Sequence, residues 1–239
     1  MNGVLAVARR ELKTFFSSPI AYIVLGAFLL LTGWFYFSPL FLSGQASLRN
    51  FFGIAAICFV FIVPAITMRS IAEERKSGTL ELLLTMPVED WQVVLGKFLA
   101  ALGMVCVGLV FTFPYALTVS SLTGPGAPFD WGVVAAGYLG LVLVASSFIA
   151  LGLWASALSK NQIVGFIAAL GICFVLWVLD KAILVLPASV GALFQYLSVT
   201  YHFDNIARGV IDTRDILYYV TVTTIGLLLT TRALSSVRK

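Results

Sequence analysis

Charged residues are scarce in this sequence. Asp, Glu, Lys and Arg make up 11% of its 239 residues, whereas hydrophobic residues make up 60%, and the mean hydropathy is +1.02. Soluble domains carry roughly 25% charged residues, so the composition excludes an ordinary water-soluble domain. It predicts an all-α, polytopic membrane protein.

Histidine and cysteine are also rare. The one histidine, His202, excludes a zinc peptidase of the HExxH type, which needs two. Cys58, Cys106 and Cys173 lie in apolar runs without the spacing of metal ligands, which favours small buried hydrophobic side chains over a metal site or a disulfide framework. We therefore expect neither a metal nor a cofactor in this chain.

The sequence lacks a phosphate-binding loop. No GxxxxGK[ST] motif occurs, since Gly96-Lys97 has neither the upstream glycine nor the following hydroxyl. Ion-coupled carriers usually bury a carboxylate near the membrane midplane, but the first, second, fourth and sixth apolar runs have no Asp, Glu, Lys or Arg through their centres. The chain is thus not expected to be an enzyme by itself, and its energy source is expected outside it. Its basic residues are scattered, which argues against a nucleic acid partner.

Six apolar runs are each long enough to cross a hydrocarbon core of roughly 30 Å. They cover about residues 20–42, 51–68, 93–122, 131–158, 163–179 and 216–233. We expect one transmembrane domain over residues 1–239, with the first run retained as a span rather than cleaved. The third run is longer than needed, so its first turn should protrude and let Lys97 snorkel into the headgroup layer. The fourth run contains Ser146-x-x-x-Ala150 and Gly152-x-x-x-Ser156, spacings that allow close helix packing but are common by chance.

Residues 3–16 predict a basic amphipathic helix. At 100° per residue the apolar side chains of this stretch fall in one sector of roughly 120°: Val4, Leu5, Ala8, Leu12, Phe15 and Phe16. Arg9, Arg10 and Lys13 fall on the other side. Such a helix lies in the membrane surface rather than crossing it, the alternative being an irregular tail.

Residues 182–200 are apolar but interrupted by Pro187, Ser189, Gly191 and Gln195. Each piece is too short to cross alone. A re-entrant pair of short helices between the fifth and sixth spans fits better than a seventh crossing, because an even number of crossings returns both termini to one side.

The distribution of basic residues predicts the orientation. With six spans, about eleven Lys and Arg residues fall on the side of the termini and about four on the other. Because cytoplasmic loops carry the excess of Lys and Arg, both termini should be cytoplasmic.

Residues 69–90 form the one long charged segment between two apolar runs. Many of its side chains would each cost roughly 2.5–3.5 kcal/mol at the centre of a bilayer. Ser77-Gly78 predicts a helix break, and the following apolar turns, residues 79–86, end at Pro87. This short apolar helix predicts docking into a partner, whereas the alternative is a solvated loop that folds back onto the membrane surface.

The same segment resembles type-2 ABC transporter permeases. The resemblance rests on these residues and on the Gly96-Lys97 pair that follows them: Glu74, Arg75, Gly78, Thr79, Leu80, Glu81, Leu83 and Pro87. It implies a coupling helix that docks on a separate ABC ATPase subunit, which would bind ATP and Mg. It also implies an N-terminal interfacial helix that contributes to this contact, re-entrant helices before the sixth span, a second permease subunit, identical or related, and a bacterial inner membrane location.

A second stretch, HFDNIARGVIDTRDILYY, resembles one subgroup of these permeases: the gliding-motility-associated permease and its relatives in copper-site maturation of nitrous oxide reductase. That likeness implies contact with periplasmic or membrane-anchored accessory proteins. The candidate contact residues are His202, Asp204, Arg208, Asp212 and Arg214. The alternative is a loop whose salt bridges are local and which caps the sixth span.

Three functions remain open from the sequence. The first is the membrane-spanning permease subunit of an ATP-driven ABC transporter. The second is a subunit that transmits force to periplasmic proteins without moving a substrate. The third, an ATP-independent channel or scaffold, leaves the charged segment unexplained.

Overall fold

The computed structural model describes residues 2–43, 47–78, 89–122, 129–184 and 187–236. These residues form helices and, within the described ranges, no strand. The helices are α1 (Asn2–Ser17), α2 (Pro19–Ser43), α3 (Arg49–Thr67), α4 (Ala72–Ser77), α5 (Asp90–Leu122), α6 (Trp131–Leu158), α7 (Gln162–Val178), a 3-10 helix (Leu179–Leu184), α8 (Ala188–Leu197), α9 (Val199–Ala207) and α10 (Thr213–Ser235).

Six helical segments of the described chain are long and apolar enough to cross a membrane, which confirms the predicted six-helix architecture. Their bounds are Pro19–Phe41, Arg49–Ser77, Asp90–Leu122, Trp131–Leu158, Gln162–Lys181 and Thr213–Ser235. Each overlaps one predicted run. The second is longer than predicted, because it continues through a turn into α4.

Helix α6 lies at the centre of the bundle and packs against α3, α5, α7, α9 and α10. Its buried residues include many small side chains, which allow neighbouring helices to approach closely. At Gly152 a Cβ atom would clash with the side chain of Thr67 on α3. The Gly152-x-x-x-Ser156 spacing therefore marks a real helix contact. By contrast, α2, α7 and α10 lie at the periphery, where less than a quarter of each apolar segment is buried.

Helix α1 and the end of α10 lie at one end of the bundle, because both contact the first turns of α5. Leu234, near the end of α10, packs in a small buried cluster with Ile71, Val93, Val94 and Ala157. We call this the terminal end, and the other the opposite end. The predicted short helix, residues 79–86, lies outside the described residues.

Two short helices, α8 and α9, lie between the fifth and sixth spans. They extend beyond the predicted stretch of residues 182–200, and a re-entrant course for them remains a prediction. Helix α9 runs through Ala207, so half of the polar stretch after residue 200 is helical rather than a loop. This helix has a buried face that includes Val199, Phe203 and Ile206, which explains why polarity alone did not reveal it.

Candidate functional site

The N-terminal helix packs against the first turns of α5. A Cβ atom at Gly96 would lie 2.6 Å from Val7 Cβ and 3.1 Å from the Val4 carbonyl oxygen, so glycine is needed for this approach. Val4 and Ala8 are buried, whereas Leu5 is exposed. The apolar sector therefore faces the protein in part, and not only a membrane surface as predicted. Arg9, Arg10 and Lys13 are exposed.

Lys97 lies beside this contact and is buried. Only 1% of its side chain is exposed, and Nζ lies 3.1 Å from Glu11 Oε1 and 2.8 Å from Glu74 Oε1. Arg10 Nη2 lies 3.9 Å from the same Glu74 oxygen. We call these four residues the lysine junction. The prediction that Lys97 snorkels into the headgroup layer is wrong, because two carboxylates from other helices hold it inside.

The lysine junction connects three helices through one ammonium group. Glu11 is on α1, Glu74 on α4 and Lys97 on α5, and the lysine is 86 and 23 residues from its two partners in the chain. Removing one partner of a buried ion pair costs roughly 3–5 kcal/mol, because the remaining charge is left buried. We infer that α1, α4 and α5 move together at this point.

Helix α4 is further fixed by α6. Its own N-cap, Ile71, provides no side-chain hydrogen bond. Instead Ser156 Oγ accepts from the Ile71 and Ala72 amides at 3.2 and 3.1 Å and donates to the Met68 carbonyl at 3.0 Å. A side-chain oxygen on α6 thus performs the capping that a helix normally obtains from its own sequence. Arg75 Nη1 also donates to the Ala157 carbonyl at 2.8 Å.

The residues that carried the predicted coupling role divide into two groups. Glu74, Arg75 and Gly78 are described, and the following five lie outside the described residues: Thr79, Leu80, Glu81, Leu83 and Pro87. The prediction placed Glu74 and Arg75 on a docking surface, but both side chains bond to the bundle. Gly78 ends α4 with φ +72°, a conformation that glycine adopts without strain. Glu74 and Arg75 therefore fix α4 to the bundle, and Gly78 ends this helix directly before residues 79–88. We call α4 the base of the predicted docking segment.

Two residues of this site were not identified from the sequence. Glu11 is the one acidic residue in α1, and it borders the apolar sector. This position could have indicated that Glu11 has a basic partner in the protein. Ser156 was noted only as part of a small-residue spacing. Its capping of α4 joins positions 84 and 85 residues apart, which no local pattern encodes.

The opposite end holds a second buried group of hydrogen-bonded polar side chains. His202 Nδ1 lies 2.7 Å from Asp215 Oδ1, and Nε2 lies 2.9 Å from the Tyr196 carbonyl oxygen. Asn205 Nδ2 donates to Asp215 Oδ2 at 3.3 Å. The Tyr218 ring stacks on the imidazole with 4.1 Å between centroids. We call Tyr196, His202, Asn205, Asp215 and Tyr218 the histidine cluster.

The histidine cluster corrects one predicted contact residue. The His202 side chain is 1% exposed, so it offers no surface to a partner in this conformation and instead ties α8, α9 and α10 together. Asp204, Arg208, Asp212 and Arg214 are exposed. Asp212 also accepts from the Arg214 amide at 2.9 Å and caps α10. This agrees with the alternative interpretation, in which the stretch before the sixth span caps that span.

Within the described ranges, no group of three or more His, Cys, Asp or Glu side chains is arranged to hold a metal ion.

Comparison with known sequences gives one family and two relatives. The sequence model of the family described as "ABC-2 family transporter protein" matches residues 6–235. Two curated proteins named "Probable multidrug ABC transporter permease YbhR", from Escherichia coli strain K12 and Escherichia coli O157:H7, are each 33% identical to the chain over 106 residues. The match covers 44% of this chain and 27% of each relative, so it spans about a quarter of the relatives' length.

Proposed function

Because the chain belongs to the ABC-2 transporter family, we propose that it is the membrane-spanning permease subunit of an ATP-driven ABC transporter. A separate ABC ATPase subunit binds ATP and Mg, and it docks on residues 79–87. A second permease subunit, identical or related, completes the membrane part. Both termini and the docking segment face the cytoplasm of a bacterial cell, as the bias of basic residues supports.

The lysine junction is the observation that supports this function best. A docking segment can drive a transporter only if its movement reaches the spans. Here the described base of that segment, α4, is bonded to α5 through Lys97 and to α6 through Ser156 and Arg75. The same lysine also holds α1. A push on the segment is therefore delivered to the third and fourth spans and to the N-terminal helix together.

The proposed cycle requires the ATPase to bind the two conformations of the permease with different free energies, since a ligand of equal affinity shifts no equilibrium. When two ATPases close on ATP, they displace the two docking segments. The junctions carry this displacement into α5 and α6, and the path between the paired permeases opens or closes. Export and conformational work on a partner both follow from the same movement.

The test is isolation of the native complex with its partners in mild detergent, with the subunits identified by mass spectrometry. The proposal expects a nucleotide-hydrolysing subunit that crosslinks to cysteines placed within residues 79–87. A complex without any such subunit, or labelling of these cysteines from outside intact cells, would contradict it.

A second candidate is force transmission to periplasmic proteins without transport. It is favoured by the exposed charges Asp204, Arg208 and Arg214, which lie on a surface made rigid by the histidine cluster. Large periplasmic chains in the isolated complex, released by charge reversal at Arg208, would support it. Their absence would favour transport by the ATPase and permease alone.

A further inference from the structure

A cavity of about 260 Å³ lies at the terminal end of the bundle, next to the lysine junction. Its floor is apolar, with Val24 near the start of α2, Ile66 near the end of α3 and Met104 in the middle of α5. Its rim is charged and includes Arg10, Arg69 and Glu73. An apolar floor below a charged rim is the combination that the acyl chains and the headgroup of a lipid require.

The arginines of the rim retain donors for a ligand. Arg69 Nε is buried and, among the described residues, makes no hydrogen bond; Glu73 Oε2 lies 3.6 Å away. Arg10 Nη2 lies 3.9 Å from Glu74. Both distances exceed those of hydrogen bonds, so the two guanidinium groups are near carboxylates without being bonded to them at these atoms. The Arg10 and Arg69 side chains are 60% and 34% exposed, so both guanidinium groups remain accessible to the acceptor oxygens of a ligand.

The rim carries both signs of charge. Three carboxylates, Glu11, Glu73 and Glu74, line the cavity with the two arginines. A purely anionic headgroup would meet these carboxylates, and a purely cationic one would leave the arginine donors unused. A headgroup with a phosphate and a primary ammonium satisfies both, because guanidinium groups bind phosphate oxygens and the half-exposed Glu73 accepts from an ammonium.

We propose that this cavity binds one phospholipid with a zwitterionic phosphoethanolamine headgroup. The phosphate contacts Arg10 and Arg69, and the ammonium contacts Glu73. The proximal methylenes of the lipid lie on Phe15, Val24 and Met104. This site does not depend on transport or on an ATPase, and it makes a membrane lipid a structural partner of the contact between α1 and the spans.

The test is native mass spectrometry of the full chain released from nanodiscs containing equal amounts of phosphatidylethanolamine, phosphatidylglycerol and phosphatidylcholine. We expect one phosphatidylethanolamine to be retained preferentially. Arg69→Gln should weaken this retention at least about tenfold, as expected for the loss of a charge-assisted bond to phosphate. Arg232→Gln is the matched control, because Arg232 is exposed at the same end of the bundle but does not line the cavity, and it should leave retention unchanged.

A second variant tests the apolar part of the cavity independently of its charged residues. Val24→Phe fills the apolar floor, keeps every charged residue, and should also reduce retention. Equal retention of the three lipids, preference for phosphatidylglycerol, or equal effects of Arg69→Gln and Arg232→Gln would overturn the proposal. Displacement of the lipid by water-soluble phosphoethanolamine at a similar concentration would also overturn it, since the acyl chains would then contribute nothing.

Discussion

The lysine junction and the histidine cluster each bond polar side chains around one buried residue, and they lie at the two ends of the bundle, but they differ in how far apart in the sequence the bonded residues are. Lys97 bonds to residues 86 and 23 positions away, so it joins separate parts of the chain. His202 bonds to residues 6 and 13 positions away, so it fixes a local turn of the chain. The first is suited to passing movement between helices, and the second to keeping one end rigid.

The side chains and cavities that surround the two sites also differ. The imidazole of His202 is covered by the stacked ring of Tyr218 and meets Tyr196 and Tyr201 edge-on. The lysine junction instead borders a cavity with charged walls, whereas the cavity that Tyr218 lines beside the histidine cluster is apolar. Charged walls admit water to the ion pairs of the junction, whereas an aromatic and apolar environment keeps water from the imidazole. We therefore expect the two sites to respond differently to mutation.

The largest effect is expected for Lys97→Met. The substitution leaves Glu11 and Glu74, whose side chains are 14% and 16% exposed, without their ammonium partner, so the free energy of unfolding should fall by about 3 kcal/mol, the low end of the range for a buried pair. Denaturant unfolding of the solubilised chain measures this change, and spin labels on α1 and α5 should report a larger separation. Adding Glu11→Gln and Glu74→Gln removes the stranded charges and should recover most of the loss. A single variant as stable as the parent would show that the junction is not formed.

A smaller and more local effect is expected for His202→Phe. The phenyl ring can keep the stacking on Tyr218 but loses the bonds to Asp215 and to the Tyr196 carbonyl, which should cost about 2–3 kcal/mol. The separation of α1 and α5 should stay that of the parent. If it increased as in Lys97→Met, the contrast between a local and a long-range site would be wrong.

The smallest effect is expected for Ser156→Ala, which removes the cap that α6 gives to α4. Loss of an N-cap side chain costs about 1 kcal/mol, and hydrogen exchange at the Ile71 and Ala72 amides should become faster. Ser146→Ala is the control, because among the described residues the Ser146 hydroxyl bonds only within α6, to the Val142 carbonyl. Equal exchange rates at these two amides in the Ser156→Ala and Ser146→Ala variants would show that the Ser156 cap does not stabilise α4.

The sequence predicted the six crossing helices because their signal is local: the length and apolarity of a run decide whether it can span a bilayer. It also predicted the amphipathic α1 and the interrupted stretch before α10. The lysine junction could not be predicted from the sequence, because Glu11, Glu74 and Lys97 meet only after three helices have packed. Even the resemblance that singled out Gly96-Lys97 did not say that the glycine admits α1 and that the lysine holds it.

His202 is a second residue whose environment could not be predicted from its neighbours in the sequence. Its polar neighbours along the chain predicted exposure, yet α9 turns the residue inward, where Asp215 satisfies it. The docking role of residues 79–87 rests on family resemblance and on the geometry of their base, and it remains a prediction.

The most direct test of this account is ATP hydrolysis by the assembled complex carrying Leu83→Asp in the proposed docking helix. A charge at this apolar position should abolish the coupling of hydrolysis to the permease, while unfolding of the spans stays that of the parent. Leu83→Met, which keeps an apolar side chain of similar volume, should retain coupling. Full coupling in Leu83→Asp would contradict the claim that this segment receives the movement of the ATPase.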